Sequence, residues 1–101
     1  MLGGDFTGRA SLLDAAPVTG TGASNAYVAK VDVALTRAAW LKAFTDPTGD
    51  PTADQGVYGV AVDSAGNTVV GHFTGSLDCG DGTKTLVSQG MHDVFVAKLA
   101  P

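Results

Sequence analysis

Val57-Tyr58-Gly59-Val60-Ala61-Val62-Asp63-Ser64-Ala65-Gly66-Asn67-Thr68-Val69-Val70-Gly71-His72-Phe73-Thr74-Gly75 decides the fold. Two runs rich in valine and aromatic residues, the types that fit a pleated surface, flank a turn cluster. Asp63 to Asn67 supplies a glycine for positive φ and Asx side chains able to bond their own turn, with Asp63 the expected cap. The pattern predicts an antiparallel hairpin of 57–63 with 68–74. Val60, Val62, Val69 and Phe73 would lie on one side, with Val57, Ala61 and Val70 on the other. Neither side is polar, so the hairpin belongs to a sheet covered on both faces rather than to one with a wet face.

The end of this stretch occurs twice. Gly71-His72-Phe73-Thr74-Gly75 repeats Gly4-Asp5-Phe6-Thr7-Gly8 at an offset of 67 residues. Asp93-Val94-Phe95-Val96-Ala97-Lys98-Leu99 repeats Asn25-Ala26-Tyr27-Val28-Ala29-Lys30-Val31 at an offset of 68. Two strings in the same order, with one residue inserted between them, mark a duplicated structural unit. Such units bury their apolar faces on neighbours. Residues 94–99 and 26–31 are therefore matching strands, and residues 5–7 match part of 68–74.

The segment 33–44 is ambiguous. Its Ala and Leu content favours helix, whereas the alternation of Ala38, Trp40, Lys42 and Phe44 against Ala39, Leu41 and Ala43 favours a strand. We read 38–44 as strand and 33–37 as a turn or short helical turn. Thr45 to Gly56, with two Asp-Pro steps, is a loop, as are the Ser/Thr/Gly/Asp-rich connections 9–24 and 76–92.

Composition narrows the class. A chain of 101 residues holds one small domain or part of a larger one. With 45% hydrophobic and 16% charged residues it is an ordering composition. The net charge of −4 and the scattered basic residues argue against nucleic-acid binding. Cys79 is the single cysteine, which excludes an intrachain disulfide and a thiolate cluster. No apolar run is long enough for a membrane span, and the N-terminus lacks the pattern of a secretory signal.

Val60-Ala61-Val62-Asp63-Ser64-Ala65-Gly66-Asn67 followed by Gly71-His72-Phe73-Thr74-Gly75 resembles the SBBP-type β-propeller repeat of bacterial seven-bladed propellers. Asp93 to Leu99 is similar to that family's Asp-Val-Phe-Val-Ala-Lys-Leu strand, with Asn25 to Val31 a looser copy. Trp40-Leu41-Lys42-Ala43-Phe44 is similar to its Trp-x-Lys-x-Phe strand. Two departures stand out: 32–39 has no glycine for the turn before the tryptophan strand, and Cys79 occupies a usual aromatic position. The resemblance implies an all-β fold of antiparallel propeller blades with six strands, about one and a half blades. Residues 1–44 would be strands B, C and D of a partial first blade, 45–56 a loop, and 57–101 strands A, B and C of a second. The chain would then be a fragment of a larger propeller, or one that completes its blades by self-association.

The search for chemistry assigns no catalytic, cofactor-binding or metal-ligating residue. Around Gly75 to Thr85, Asp81 stands where a phosphate loop needs lysine. Gly20-Thr21-Gly22 lacks the third glycine of a dinucleotide fingerprint and reads as a turn, and Gly22-Ala23-Ser24-Asn25 as a loop. His72 reads as a strand residue in the place of Asp5. His92 is next to Asp93, but neighbours in a strand point to opposite faces. Asp46, Asp50, Asp54, Asp78 and Asp81 raise calcium, yet neither run has the order of a known calcium loop, and turn capping is the default. Lys30 and Lys98 recur at equivalent positions, as outward charges or partners of a turn carboxylate.

The expected function is a non-enzymatic scaffold or a protein- or ligand-binding module of an exported or cell-surface bacterial protein, as the resemblance implies. Its partners would be further blades of the same protein or copies of this chain, with no cofactor. One alternative is a self-assembling, lectin-like module binding glycans through exposed aromatics such as Trp40 or Tyr58. A loop-borne hydrolase is a second, and lacks a nucleophile or metal constellation in the sequence.

Overall fold

The computed structural model describes residues 1–32, 34–64, 66–78, 85–89 and 91–99. Among the described residues eight strands run in order: β1 Leu2–Ala10, β2 Val18–Val31, β3 Ala38–Phe44, β4 Gln55–Asp63, β5 Gly66–Phe73, β6 Ser76–Asp78, β7 Thr85–Val87 and β8 Asp93–Leu99. They form two three-stranded sheets, β1-β2-β3 and β4-β5-β8, and a β6-β7 hairpin, all with antiparallel pairing. The fold is all-β. The hairpin expected over 57–63 and 68–74 is present, with Val60 opposite Val69 and Val62 opposite Asn67. Residues 38–44 are a strand.

Six strands was an undercount. The connections expected as loops are partly paired, since β1 continues to Ala10, β2 starts at Val18, and Ser76–Asp78 pairs with Thr85–Val87. Gly20-Thr21-Gly22 and the Ser24-Asn25 region lie inside β2 rather than in turns. These pieces carry Thr, Ser, Gly and Arg, with no apolar run to announce them. Backbone pairing makes them strands, because unpaired amides and carbonyls are costly, and in β6 the fully buried Leu77 also joins the core. Gly8 and Gly75 take φ of 76° and 71° where the ladder breaks in each copy, a conformation that glycine adopts freely. β4 also starts two residues before the expected strand, at Gln55.

The duplication holds at the level of register. Leu2, Gly4 and Phe6 pair with Ala29, Tyr27 and Asn25, while Val69, Gly71 and Phe73 pair with Ala97, Phe95 and Asp93. The hairpin tips match too, with Arg9 opposite Thr19 and Ser76 opposite Val87. In both copies an aromatic ring lies across the paired glycine. A Cβ on Gly4 would stand 3.0 Å from the Tyr27 ring, and one on Gly71 2.6 Å from the Phe95 ring. β3 flanks the first copy on the β2 side, and β4 flanks the second on the β5 side.

The two sheets stack head to tail. The first sheet turns Ala26, Val28 and Phe44 inward, and the second turns Val69, Phe73 and Phe95 inward. Phe95 makes edge-to-face contacts with Phe44 (5.7 Å) and Phe73 (6.3 Å), the geometry aromatic pairs prefer. The inward residues of the second sheet correspond to Leu2, Phe6 and Tyr27, which lie on the far side of the first. Opposite faces of the repeated unit therefore meet at the interface, as in a heterologous contact. Gly3 permits the close approach, since a Cβ there would stand 2.7 Å from Val57 Cγ1.

Val57 was expected opposite Val60 in face. A bulge changes this: Val57 pairs with Gly71 and Gly59 with Val70, leaving Tyr58 as the extra residue. An added residue flips the alternation, so Val57 joins Val60 against the core. Gly59, which has no side chain to pack, was the sequence signal for it.

The glycine-free turn at 32–37 closes by other means. Leu35 adopts φ of 58°. The Asp32 carboxylate accepts hydrogen bonds from the Thr36 amide (2.7 Å), the Thr36 hydroxyl (2.7 Å) and the Arg37 amide (3.1 Å). Asp14 reaches across from the β1–β2 connection to accept from the Ala38 amide (2.7 Å) and Arg37 Nε (3.2 Å).

Candidate functional site

The residues most open to an interaction lie on the outer face of the second sheet. On an antiparallel ladder, residues directly opposite share a face, so Val70 with Val96 and His72 with Val94 point the same way. Val94 and Val96 are each 67% exposed, although their counterparts Ala26 and Val28 are fully buried under the second sheet. Tyr58, 71% exposed at the bulge, stacks at a tilt against His72 with centroids 4.9 Å apart.

At one end of this face three ligand-type side chains converge. Asp54, just before β4, has its amide bonded to Thr74 Oγ1 and its carbonyl to the Thr74 amide, both at 2.9 Å. His72 lies in β5 opposite Gly56, where a Cβ would stand 2.7 Å from His72 Nε2, so the glycine leaves room for the imidazole. His92 precedes β8, and its Nε2 lies 3.3 Å from Asp54 Oδ2. The two imidazole rings are 5.5 Å apart. One donor atom from each of Asp54, His72 and His92 falls within 4.8 Å of the others. His72 Nδ1 is buried with no hydrogen-bond partner.

His92 pairs with Asp54 rather than with its neighbour Asp93, which accepts from the Gln89 amide at 2.6 Å. The acidic loop separates into roles. Asp46 and Asp50 each begin an Asp-Pro-Thr turn, and each accepts from the amide and hydroxyl of the threonine two residues on. Those amide and hydroxyl bonds hold the Asp50 carboxyl below its ordinary value. Asp46 also accepts from the Ser76 amide, tying the loop to β6. Both are turn caps, as expected. Trp40 packs partly against the core with Lys42 Nζ 5.2 Å from its ring centroid, which leaves Tyr58 as the more exposed of the two aromatics considered for glycans. Cys79, Asp81 and the Asp63 side chain lie outside the described residues.

Open grooves lie on the first sheet. One is bounded by Pro17, Val18, Leu41 and Thr45, and another by Lys30, Asp32, Arg37 and Ala39. Two of the three charged groups of the second, Asp32 and Arg37, already serve the turn beside it. No helix of the described residues is long and apolar enough to cross a membrane.

Sequence reading missed the Asp54–His72–His92 cluster because its members are 18 and 20 residues apart, a spacing typical of no ligand motif. A signal did exist. Once Val94 is placed opposite His72, His92 has the same parity and falls on the same face. Comparison with protein-family models, characterised proteins and solved structures gave no match.

Proposed function

We propose that this chain is a segment of an SBBP-type β-propeller, a non-enzymatic scaffold whose sheets stack on further copies of the same repeat in an exported or cell-surface protein. The single observation that supports this most is the head-to-tail stacking of the two repeat copies. It leaves one face of each kind free: Leu2, Phe6 and Tyr27 at one end, Val70, Val94 and Val96 at the other. These are the two faces that already fit each other inside the molecule, so the occupant of each is another copy of the unit. A composite of the two copies, aligned on their shared register, has the strand order β4, β1 or β5, β2 or β8, β3, in keeping with a four-stranded blade. Function by rigid display then falls to the connecting loops on the rim. Among the described residues, the Thr74 hydroxyl at the His and Asp cluster bonds the Asp54 amide rather than an imidazole, and Tyr58 meets His72 through its ring. That favours binding over hydrolysis.

Light scattering coupled to size exclusion, run over a range of concentrations, tests the reading. Association through the free faces is expected, and Val96→Glu should suppress it while circular dichroism retains its strand signal. A monomer at all concentrations with a sharp cooperative melt would overturn it. A single closed oligomer would favour the ring-forming, glycan-binding alternative, for which exposed Tyr58 offers an aromatic platform.

A further inference from the structure

We infer that Asp54, His72 and His92 form a site for one divalent transition-metal ion of the zinc class, clamping the start of β4 and the entry to β8 onto β5.

The donor set argues for that class. Two imidazole nitrogens and one carboxylate suit zinc, nickel or cobalt, whereas calcium and magnesium require oxygen ligands. Distances agree. With metal–nitrogen and metal–oxygen bonds of about 2.0–2.2 Å, neighbouring donors of a tetrahedral ion stand roughly 3.2–3.5 Å apart. His92 Nε2 and Asp54 Oδ2 are already at 3.3 Å. All three donors lie within 4.8 Å, so closure around an ion needs side-chain shifts of at most about 1.5 Å. Three protein ligands leave the fourth position to water.

The surroundings fit a ligand site better than an isolated ion pair. The His92 and Asp54 side chains are 53% and 41% exposed, and an exposed pair of this kind contributes little to stability. It gives no reason for a second imidazole beside it with a buried, unpartnered ring nitrogen. The backbone also fixes the frame: Asp54 is held by Thr74 on both its amide and its carbonyl, and His72 occupies the room left by Gly56.

The first copy supplies an internal contrast. The counterparts of His72 and His92 are Asp5 and Ser24, and Ser24 Oγ donates to Asp5 Oδ2 at 3.1 Å. Ser24 also bonds the leading segment of the second sheet, through Ala53 O (3.3 Å) and Gln55 O (3.1 Å). The same place in the repeat is thus a junction in one copy and carries both histidines in the other.

The test is titration of the whole chain with Co²⁺ and then Zn²⁺, followed by visible absorption and calorimetry. One ion per chain is expected, with the Co²⁺ absorption of a four-coordinate nitrogen–oxygen site, displaced by Zn²⁺. His92→Ala, at an exposed position that does not threaten folding, should weaken Zn²⁺ by more than roughly 100-fold, beyond the cost of losing an outer partner. Asp54→Asn and His72→Ala should do the same with strand circular dichroism retained, whereas Thr36→Ala, in the β2–β3 turn, should leave binding unchanged. Zn²⁺ affinity that His92→Ala leaves undiminished, or wild-type binding no tighter than that of a His72→Ala/His92→Ala double variant, would overturn the proposal.

Discussion

The two copies of the repeated unit share sequence, register and hairpin tips, yet differ in which side is buried. In the first copy Ala26 and Val28 are covered and Leu2, Phe6 and Tyr27 look outward. In the second, Val69, Phe73 and Phe95 are covered and Val94 and Val96 look outward. Burial is therefore a property of position in the stack, not of the residue type alone. A Val in a strand reports that some face is to be covered; the neighbour decides which one is covered in a given chain.

The contrast is sharpest at the aromatic residue that crosses the paired glycine. Phe95→Ala removes the ring that joins Phe44 to Phe73 and should cost about 3–5 kcal/mol, enough to abolish the folded state in a marginal domain. Tyr27→Ala, at the same register position on the outward face, should cost less than half of that. Urea midpoints for the two variants measure the difference, and equal shifts would remove the distinction between the faces. Gly71→Ala sets a Cβ against Gly56 O and the Phe95 ring, and the rigid backbone oxygen cannot give way. About 1–3 kcal/mol is expected. Gly4→Ala meets only the Tyr27 ring and should be tolerated.

A smaller contrast concerns the Asx residue that begins the repeated string in each copy, Asn25 within β2 and Asp93 at the start of β8. Asn25 is buried, and its Oδ1 accepts from the Gly22 amide (3.3 Å) while its Nδ2 donates to Phe6 O (3.3 Å). Its counterpart Asp93 accepts from Gln89 in a more open setting. Asn25→Ala should cost about 1–3 kcal/mol by stranding buried backbone groups. Asp93→Ala should cost under about 1 kcal/mol. Guanidinium unfolding separates them.

The turns differ as well. Gly66 supplies the positive φ beside the β4–β5 turn, whereas Leu35 takes φ of 58° in the β2–β3 turn with its side chain 61% exposed. Leu35→Gly should stabilise the chain by roughly 0.5–1 kcal/mol, because little packing is lost and left-handed strain is relieved. A lowered melting temperature would show that the leucine side chain matters after all.

The least effect is expected from acid. The Thr36 hydroxyl, then the Arg37 and Thr36 amides, hold Asp32 below the ordinary carboxyl value. The Ala38 amide, then Arg37, do the same for Asp14. A carboxyl with a lower pKa when folded stabilises above its unfolded value of about 3.9, and that contribution disappears as pH falls through the folded value. The turn should thus be indifferent between neutrality and about pH 4 and loosen below it. Carboxyl titration followed by NMR, with amide shifts at Thr36 and Arg37 as reporters, would detect this. Loosening already at pH 6 would assign the turn's order to other groups.

Much of the fold was legible because strands write themselves in side-chain period. Val57 to Phe73 carried a hairpin, and the repeat at offsets of 67 and 68 carried a second copy of its partner strand. The paired tips were not legible, since Thr19, Gly20, Ser76 and Thr85 form ladders through backbone groups that every residue has. Nor was the bulge at Tyr58 anticipated, and it moved Val57 to the other face. The Asp54–His72–His92 cluster depends on three segments distant in the chain, so no local spacing pointed to it.

By itself, then, the amino-acid order determined that the chain is built of antiparallel strands and that one unit occurs twice, because alternation and turn chemistry act over a few residues. Only the packed molecule decided which face of each unit is covered, where the ladder slips by a residue, and which histidines meet a carboxylate. Those outcomes depend on contacts between segments far apart in sequence, whose energies no local pattern encodes.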